Sequence, residues 1–231
     1  HFYDDLGNEI GSAEFMNGEL DKAHCTSFRF SKSETEVTGE EDEAQTITTG
    51  YEKEINPSSY TEKVDPANFY DQFNDSVLSE TITKTVTDAE GSTLSQTTSY
   101  LRGKNKTETV TTYENDDFGR TVKENTIQKK YQDGRWLPSY ETEVSYTYDE
   151  NGNVTETETK SRKEGETDWQ IQKTKAVYDS KGQVTKEYSP RGIKENVAAA
   201  YTYDLLGRKI KEELPQNKTD GGAGYQTVVN E

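Results

Sequence analysis

Polar and apolar residues alternate along much of this chain with a period of two. Val144, Tyr146 and Tyr148 fall on one side of the backbone, while Glu143, Ser145 and Thr147 fall on the other. Tyr201 and Tyr203 repeat the arrangement. The run Ser79-Glu80-Thr81-Ile82-Thr83-Lys84-Thr85-Val86-Thr87 alternates too, with Lys84 interrupting its apolar side. Period two sends successive side chains to opposite faces of an extended backbone, so these stretches predict strands with one half-buried face. Helical spacing is scarce. The segment Asp65-Pro66-Ala67-Asn68-Phe69-Tyr70-Asp71-Gln72-Phe73 fits a short helix, with Asp65 as N-cap, Pro66 in the first turn, and Phe69, Phe73 and Val77 four apart. It fits a loop between strands equally well.

The strands are punctuated by one recurring motif: an aromatic, Asp, two variable residues, Gly, a polar residue and then a β-branched one. It reads Tyr3-Asp4-Asp5-Leu6-Gly7-Asn8-Glu9-Ile10 at the start and Tyr148-Asp149-Glu150-Asn151-Gly152-Asn153-Val154 later. It returns as Tyr178-Asp179-Ser180-Lys181-Gly182-Gln183-Val184 and as Tyr203-Asp204-Leu205-Leu206-Gly207-Arg208-Lys209-Ile210. Two degenerate copies, around Asp88 and Gly91 and around Asp116 and Gly119, keep Asp and Gly but lose Tyr. An Asp carboxylate can accept from backbone N–H groups two residues on, and Gly supplies positive φ, so each copy predicts a hairpin turn. Tyr3, Tyr148, Tyr178 and Tyr203 are expected to pack inward. The 84-residue gap between Gly7 and Gly91 is three times the next gap of 28, which predicts eroded copies between Phe15 and Ser79. A second turn type, Asp133-Gly134 between Tyr131 and Trp136, is a strong two-residue hairpin signal, and the segment from Gly165 to Trp169 occupies the equivalent place. Gly39-Glu40-Glu41-Asp42-Glu43 reads as a solvated turn, and Asn217 to Gly224 as a loop before a last strand, Tyr225 to Val229.

The motif from Tyr201 to Ile210 resembles the YD repeat of the RHS (rearrangement-hotspot) family, and the lead-in Tyr188-Ser189-Pro190-Arg191-Gly192 is similar to that family as well. The resemblance covers most of residues 75–231 and the first ten. It implies an all-β fold of repeated antiparallel hairpins stacked into an extended, twisted, curved sheet. In the family such sheets form shells that enclose a C-terminal toxin domain in bacterial polymorphic toxins and insecticidal toxin complexes; teneurins use a related barrel in adhesion, and wall-associated proteins carry similar repeats. The expectation is therefore a single array over residues 1–231, degenerate in 1–78 and clear in 79–231. It is expected to be an internal fragment of a longer secreted or cell-surface bacterial protein. Its partners would be the remainder of its own chain and a C-terminal toxin domain. The family's C-terminal plug, with its Asp-Pro-x-Gly element and autoproteolytic Asp residues, has no match here, so no cleavage function is carried over.

Composition sharpens this picture. Leu, Ile, Val and Phe together make only 37 of 231 residues, and the net charge is −17. Such a chain ordinarily stays disordered, because it buries too little apolar surface to offset chain entropy. With 15 Tyr, 31 Thr and only 5 Pro it suits a thin pleated sheet instead. The acidic balance excludes nucleic-acid binding, which depends on phosphate neutralisation. No stretch is long and apolar enough to span a membrane as a helix. The acidic excess itself is expected to keep strand edges from pairing with other chains.

Candidate chemistry is thin. Asp149, Asn151 and Asn153 imitate the start of a calcium loop, but Val154 stands where such a loop needs Gly and Lys160 where it needs a bidentate Glu. His24 beside Cys25 suggests a thiol–imidazole pair, yet partners in such pairs come from distant positions. A hydrolase between Phe15 and Ser79 lacks any nucleophile–base constellation. No catalytic residue, metal or cofactor is assigned, and the repeat Asp residues are read as turn caps. Asn105-Lys106-Thr107 and Asn217-Lys218-Thr219 match the glycosylation sequon without further support. Trp136 and Trp169 follow polar turns and are the candidate ligand-contact aromatics of an alternative function, an adhesin-like module that binds carbohydrate or a cell-surface protein. Against this, they can plug the buried face of the sheet.

Overall fold

A computed structural model of the chain describes residues 1–4, 6–15, 28–40, 43–56, 69–72, 77–217 and 223–229. Among them the fold is all-β, with fifteen antiparallel strands hydrogen-bonded in chain order and one short helix. The strands are β1 (Phe2–Tyr3), β2 (Glu9–Phe15), β3 (Phe28–Thr38), β4 (Gln45–Ile55), β5 (Val77–Thr87), β6 (Thr93–Arg102), β7 (Asn105–Asn115) and β8 (Thr121–Gln132). They continue with β9 (Arg135–Tyr148), β10 (Val154–Lys163), β11 (Gln170–Tyr178), β12 (Val184–Tyr188), β13 (Ala199–Tyr203), β14 (Lys209–Asn217) and β15 (Ala223–Val229). The helix α1 (Pro190–Glu195) lies between β12 and β13. Two compact units divide the chain: residues 1–120 with 125–141, and residues 121–124 with 142–231.

In the first unit the sheet gains an apolar cover at one place. Ala13, Phe30, Lys53 and Glu80 stand in one cross-strand row on β2 to β5, because paired residues of antiparallel strands share a face. Ile55 and Tyr51 flank Lys53 on the same face of β4 at the period of two. Phe69 and Tyr70 close over this face, and with Phe30 and Ile55 they form the buried cluster, against which Phe2, Ile10, Ala13 and Tyr51 pack. Phe2 stacks on Phe69 with ring centres 4.3 Å apart. Gly11 makes the contact feasible: a Cβ there would fall 2.1 Å from Phe69 Cζ and 2.3 Å from the Ser31 carbonyl oxygen. Full burial of side chains such as Phe30 and Ile55 stabilises by about 1.5–3 kcal/mol each.

Phe69 and Tyr70 form a turn and Val77 opens β5, so the helical spacing of Phe69 and Val77 does not continue as a helix; Asp65 to Asn68 and Phe73 lie outside the described residues. His24 and Cys25 also lie outside them. Between the turns at Gly7 and Gly91, four strands and a single intervening turn occupy the sheet edge, at Gly39 with φ +88°. Among the described residues the gap thus holds two hairpin periods, and residues 16–27 and 57–68 lie outside them.

Among its described residues the second unit has no comparable cluster. Its strands are held by cross-strand charge pairs in mid-sheet. Glu143 on β9 lies 2.9 Å from both Lys123 on β8 and Lys160 on β10. Glu158 and Glu156 on β10 continue the ladder to Lys173 and Lys175 on β11. The Lys123 and Lys160 ammonium groups hold the Glu143 carboxyl below its usual range. These opposite charges stand on neighbouring strands, where cross-strand pairs favour the register. The helix α1 has Ser189 as N-cap, its side chain accepting from the Gly192 N–H at 3.0 Å, and ends on Asn196 in the left-handed region.

Candidate functional site: the repeated turn and its tyrosine latch

The most recurrent constellation among the described residues is the Asp–Gly turn, whose backbone closure is repeated six times. At the last copy the Asp204 N–H donates to the Arg208 carbonyl at 2.9 Å and the Gly207 N–H donates to the Asp204 carbonyl at 3.1 Å. Asp204 Oδ1 accepts from the N–H groups of Leu206 and Arg208, both at 2.9 Å. The same backbone pair recurs at Asp4, Asp88, Asp116, Asp149 and Asp179. The glycines Gly7, Gly91, Gly119, Gly152, Gly182 and Gly207 take φ between +74° and +87°, a region that an L side chain enters only with strain. Where pairing across the turn is described, a bulge precedes the Asp, between Phe2 and Tyr3, Val86 and Thr87, Val177 and Tyr178, and Thr202 and Tyr203.

The residue four after the Asp completes the turn, a role the sequence pattern marks only as polar. Asn8 and Asn153 donate their side-chain amides to Oδ2 of Asp4 and Asp149, at 3.0 and 2.9 Å. Arg120 and Arg208 do so through Nε to Asp116 and Asp204, at 2.8 and 2.6 Å. The side-chain donors of Asn8, Arg120 and Asn153, and at Asp204 chiefly the backbone N–H of Arg208, hold these carboxyls below the usual Asp range. An Asp engaged in this way is held ionised as an acceptor of the turn's N–H groups.

The repeat tyrosines do not pack into a core. Tyr3 is 52% exposed, and Tyr148, Tyr178 and Tyr203 are half-buried. The latter three reach back to the preceding repeat. The Tyr148 hydroxyl donates to the Thr121 carbonyl at 2.6 Å, Tyr178 to Val154 at 2.9 Å and Tyr203 to Val184 at 2.8 Å. Each acceptor is the second residue after the previous repeat's Gly (Gly119, Gly152, Gly182). The ring lies against the sheet because strand alternation puts it there, and the phenol satisfies a carbonyl that the bulged turn leaves at the end of the ladder. A further link joins turn to turn: Gln183 Nε2 donates to the Gly207 carbonyl at 3.0 Å and Lys181 Nζ to the Leu205 carbonyl at 3.3 Å.

No protein-family profile matches this chain, and no curated protein matches its sequence. Solved structures superpose on it weakly. The Tc holotoxin pore of Photorhabdus luminescens, with a mutated TccC3, gives 13% identity and a TM-score of 0.30 over 91% of this chain and 12% of that one. The TcdB2–TccC3–TEV crystal structure gives 13% identity and a TM-score of 0.28 over 97% of this chain and 18% of that one. A porin-like protein from Bacteroides uniformis gives 10% identity and 0.19 over 86% of this chain and 94% of that one. The chain thus spans less than a fifth of the length of the first two.

The remaining candidates sit apart from the turns. Trp136 is 38% exposed and meets Tyr131 edge to face, with ring centres 5.3 Å apart. Trp169 is half-buried, with the Arg162 guanidinium 4.4 Å from its ring centre. Asp133 and Gly134 close the β8–β9 hairpin with φ +52° and +80°, the double positive-φ turn that the dipeptide favours. The buried amine of Lys53 was not marked by any motif, since a single Lys on an alternating strand reads as a surface residue. It is 1% exposed and donates to the Tyr70 carbonyl at 2.6 Å, with the ammonium 3.9 Å from the Tyr70 ring centre. Burial lowers its pKa, with the neighbouring Glu80 and Asp71 opposing the shift. The Tyr70 hydroxyl donates to Glu80 at 3.1 Å, and burial pushes that phenol well up. Closed off from solvent, Lys53 fastens the Phe69–Tyr70 turn to the sheet. Among the described residues no group of three His, Cys, Asp or Glu stands close enough to hold a metal, and no helix is long and apolar enough to cross a membrane.

Proposed function

We propose that this chain is a structural segment of an RHS-type shell: a run of YD repeats in a secreted or cell-surface bacterial protein, enclosing or presenting a toxin domain carried elsewhere on the same polypeptide. The observation that supports the reading is the same Asp–Gly backbone closure at six turns together with the tyrosine latch at three successive repeats. A catalytic or ligand site is built once, whereas here Asp and Gly close the backbone in the same way at six turns. The repeat carboxylates take part in closing turns, and the latch ties the last three hairpins of the motif to the ones before them, as a continuous wall of repeats requires. The reading assigns no catalysis and no cofactor to the segment.

The test is protease protection in the parent polypeptide. Domains outside the repeats should resist a protease that cleaves them once Gly152→Val and Gly207→Val open the wall. Equal cleavage in wild type and variant, or a parent that encodes nothing besides the repeats, overturns the proposal.

A further inference from the structure

The chain carries a net charge of −17, yet its cations are unevenly placed. In the first unit the β6–β7 hairpin end holds Arg102, Lys104 and Lys106, and the β8–β9 hairpin end holds Lys129, Lys130 and Arg135. The two ends lie side by side: Lys106 Nζ stands 5.4 Å from the Tyr131 ring centre, and Lys129 pairs with Glu108 at 2.8 Å. Against these cations stand Glu108, already paired, Asp133, and Glu80 on β5, which lies opposite Leu101 and accepts from the Tyr70 hydroxyl. Arg102, Lys104 and Arg135 are exposed and make no ion pair among the described residues. Tyr100, Tyr131 and Trp136 stand among them, 38%, 40% and 38% exposed.

We propose that this end of the first unit docks on a phospholipid surface that bears anionic headgroups. The cations meet the headgroup phosphates, and the Tyr and Trp rings, apolar in body and polar at the tip, sit at headgroup depth where such rings are favoured. The rings of Tyr131 and Trp136 meet at 69°, and Lys106 stands over the Tyr131 face, so the pair offers no flat platform for a sugar ring. A stable protein partner needs about 800 Å² on each side, whereas the cations and rings here are confined to two hairpin ends. A membrane requires only the ends. The acidic turn residues Asp88, Glu90, Asp116 and Asp117 lie at the opposite ends of strands of ten and eleven residues. At about 3.3 Å per residue that is roughly 30 Å away, several times the ~8 Å screening length of physiological salt.

Co-sedimentation of the full chain with phosphatidylcholine vesicles, and with vesicles of phosphatidylcholine and phosphatidylglycerol, tests this. Binding is expected only to the mixed vesicles and weakens with salt. The triple variant R102Q, K104Q and R135Q, all exposed positions, should bind about a hundredfold more weakly, at about fivefold per cation, while K194Q on α1 leaves binding unchanged. In a Trp169→Phe background the emission of Trp136 should shift to the blue on the mixed vesicles. Equal binding to neutral vesicles, no binding to either at low salt, an unaffected triple variant, or tighter binding to dextran sulfate or duplex DNA than to vesicles overturns the proposal.

Discussion

Replacing Tyr178 by Phe removes one oxygen atom and isolates the latch. The ring keeps its place on the sheet, so no apolar contact is lost; what disappears is the 2.9 Å bond to the Val154 carbonyl. A neutral hydrogen bond contributes about 0.5–1.5 kcal/mol net. The ring is only half-buried, so water reaches the abandoned carbonyl in part, and a loss of about 1 kcal/mol follows. For a chain of this size that is a fall in Tm of about 2–4 °C. Tyr148 and Tyr203 make the equivalent bonds to different carbonyls in the same unit. With no shared partner the three losses should add, to about 3 kcal/mol in the triple Phe variant. Tyr3 supplies the control, because its hydroxyl has no partner among the described residues and Tyr3→Phe should leave stability unchanged. Scanning calorimetry of the wild type and the five variants (three single Phe variants, the triple and Tyr3→Phe), with denaturant titration as a second measure, decides the matter. Equal losses in Tyr3→Phe and Tyr178→Phe, or a triple variant that loses less than about 0.5 kcal/mol, would refute the latch as a source of cohesion.

Gly152→Val and Gly207→Val put a β-branched residue at φ +84° and should each destabilise by more than about 1 kcal/mol, read as a lower denaturation midpoint; unchanged midpoints contradict the turn geometry. Gly11→Ala should destabilise by about 1–3 kcal/mol through overpacking, because the Ser31 carbonyl that its methyl meets is backbone and cannot rotate away; a neutral result in the same titration counts against the Phe69 contact. Asp149 and Asp204 titrate below the usual Asp value in the folded chain, so their stabilisation is whole above pH ~4 and is lost as pH falls through their lower folded values. Melting curves from pH 7 to pH 2 should therefore fall less steeply below pH ~4 for the Asp149→Asn, Asp204→Asn variant than for wild type, and parallel curves would oppose the assignment. Lys53→Met deletes a buried cation but leaves the Tyr70 carbonyl without that donor, so stability should fall at neutral pH, with the loss seen first as greater protease cleavage near Phe69; an unchanged digestion pattern argues against the fastening role.

The turns were legible in the sequence because they are demands of the backbone. A bulged hairpin needs an acceptor at its first residue and positive φ at its fourth, and only a few residue types meet those needs, so Asp and Gly stand out even in the copies that have lost Tyr. Strand alternation was legible for the same reason. It assigns Tyr178 to a face, but the direction in which the hydroxyl points depends on the register of the neighbouring repeat. The tyrosines therefore read as core residues when they are latches. The helix α1 escaped notice because Ser189-Pro190-Arg191-Gly192 carries turn residues and the helix is too short to show a period. The buried cluster around Phe30 and Ile55 was hidden for a different reason. It lies where the motif is most eroded, and its lid of Phe69 and Tyr70 comes from a connection with helical spacing. One inward Lys breaks the apolar pattern of β4, although its partners Tyr70 and Glu80 make that position workable.

The latch also gives the array a direction in time. Tyr148, Tyr178 and Tyr203 each belong to a later repeat and their acceptors to an earlier one, so at these periods a hairpin emerging from the ribosome has its own turn closed before the latch can form. The bond arrives only with the next period. Synthesis and folding then proceed in the same sense, each new repeat sealing the one before it, and every such contact joins strands that are neighbours in sequence, the local wiring that keeps β-folding fast. A translation arrest in mid-array leaves one unsealed period at the growing end and a finished wall behind it.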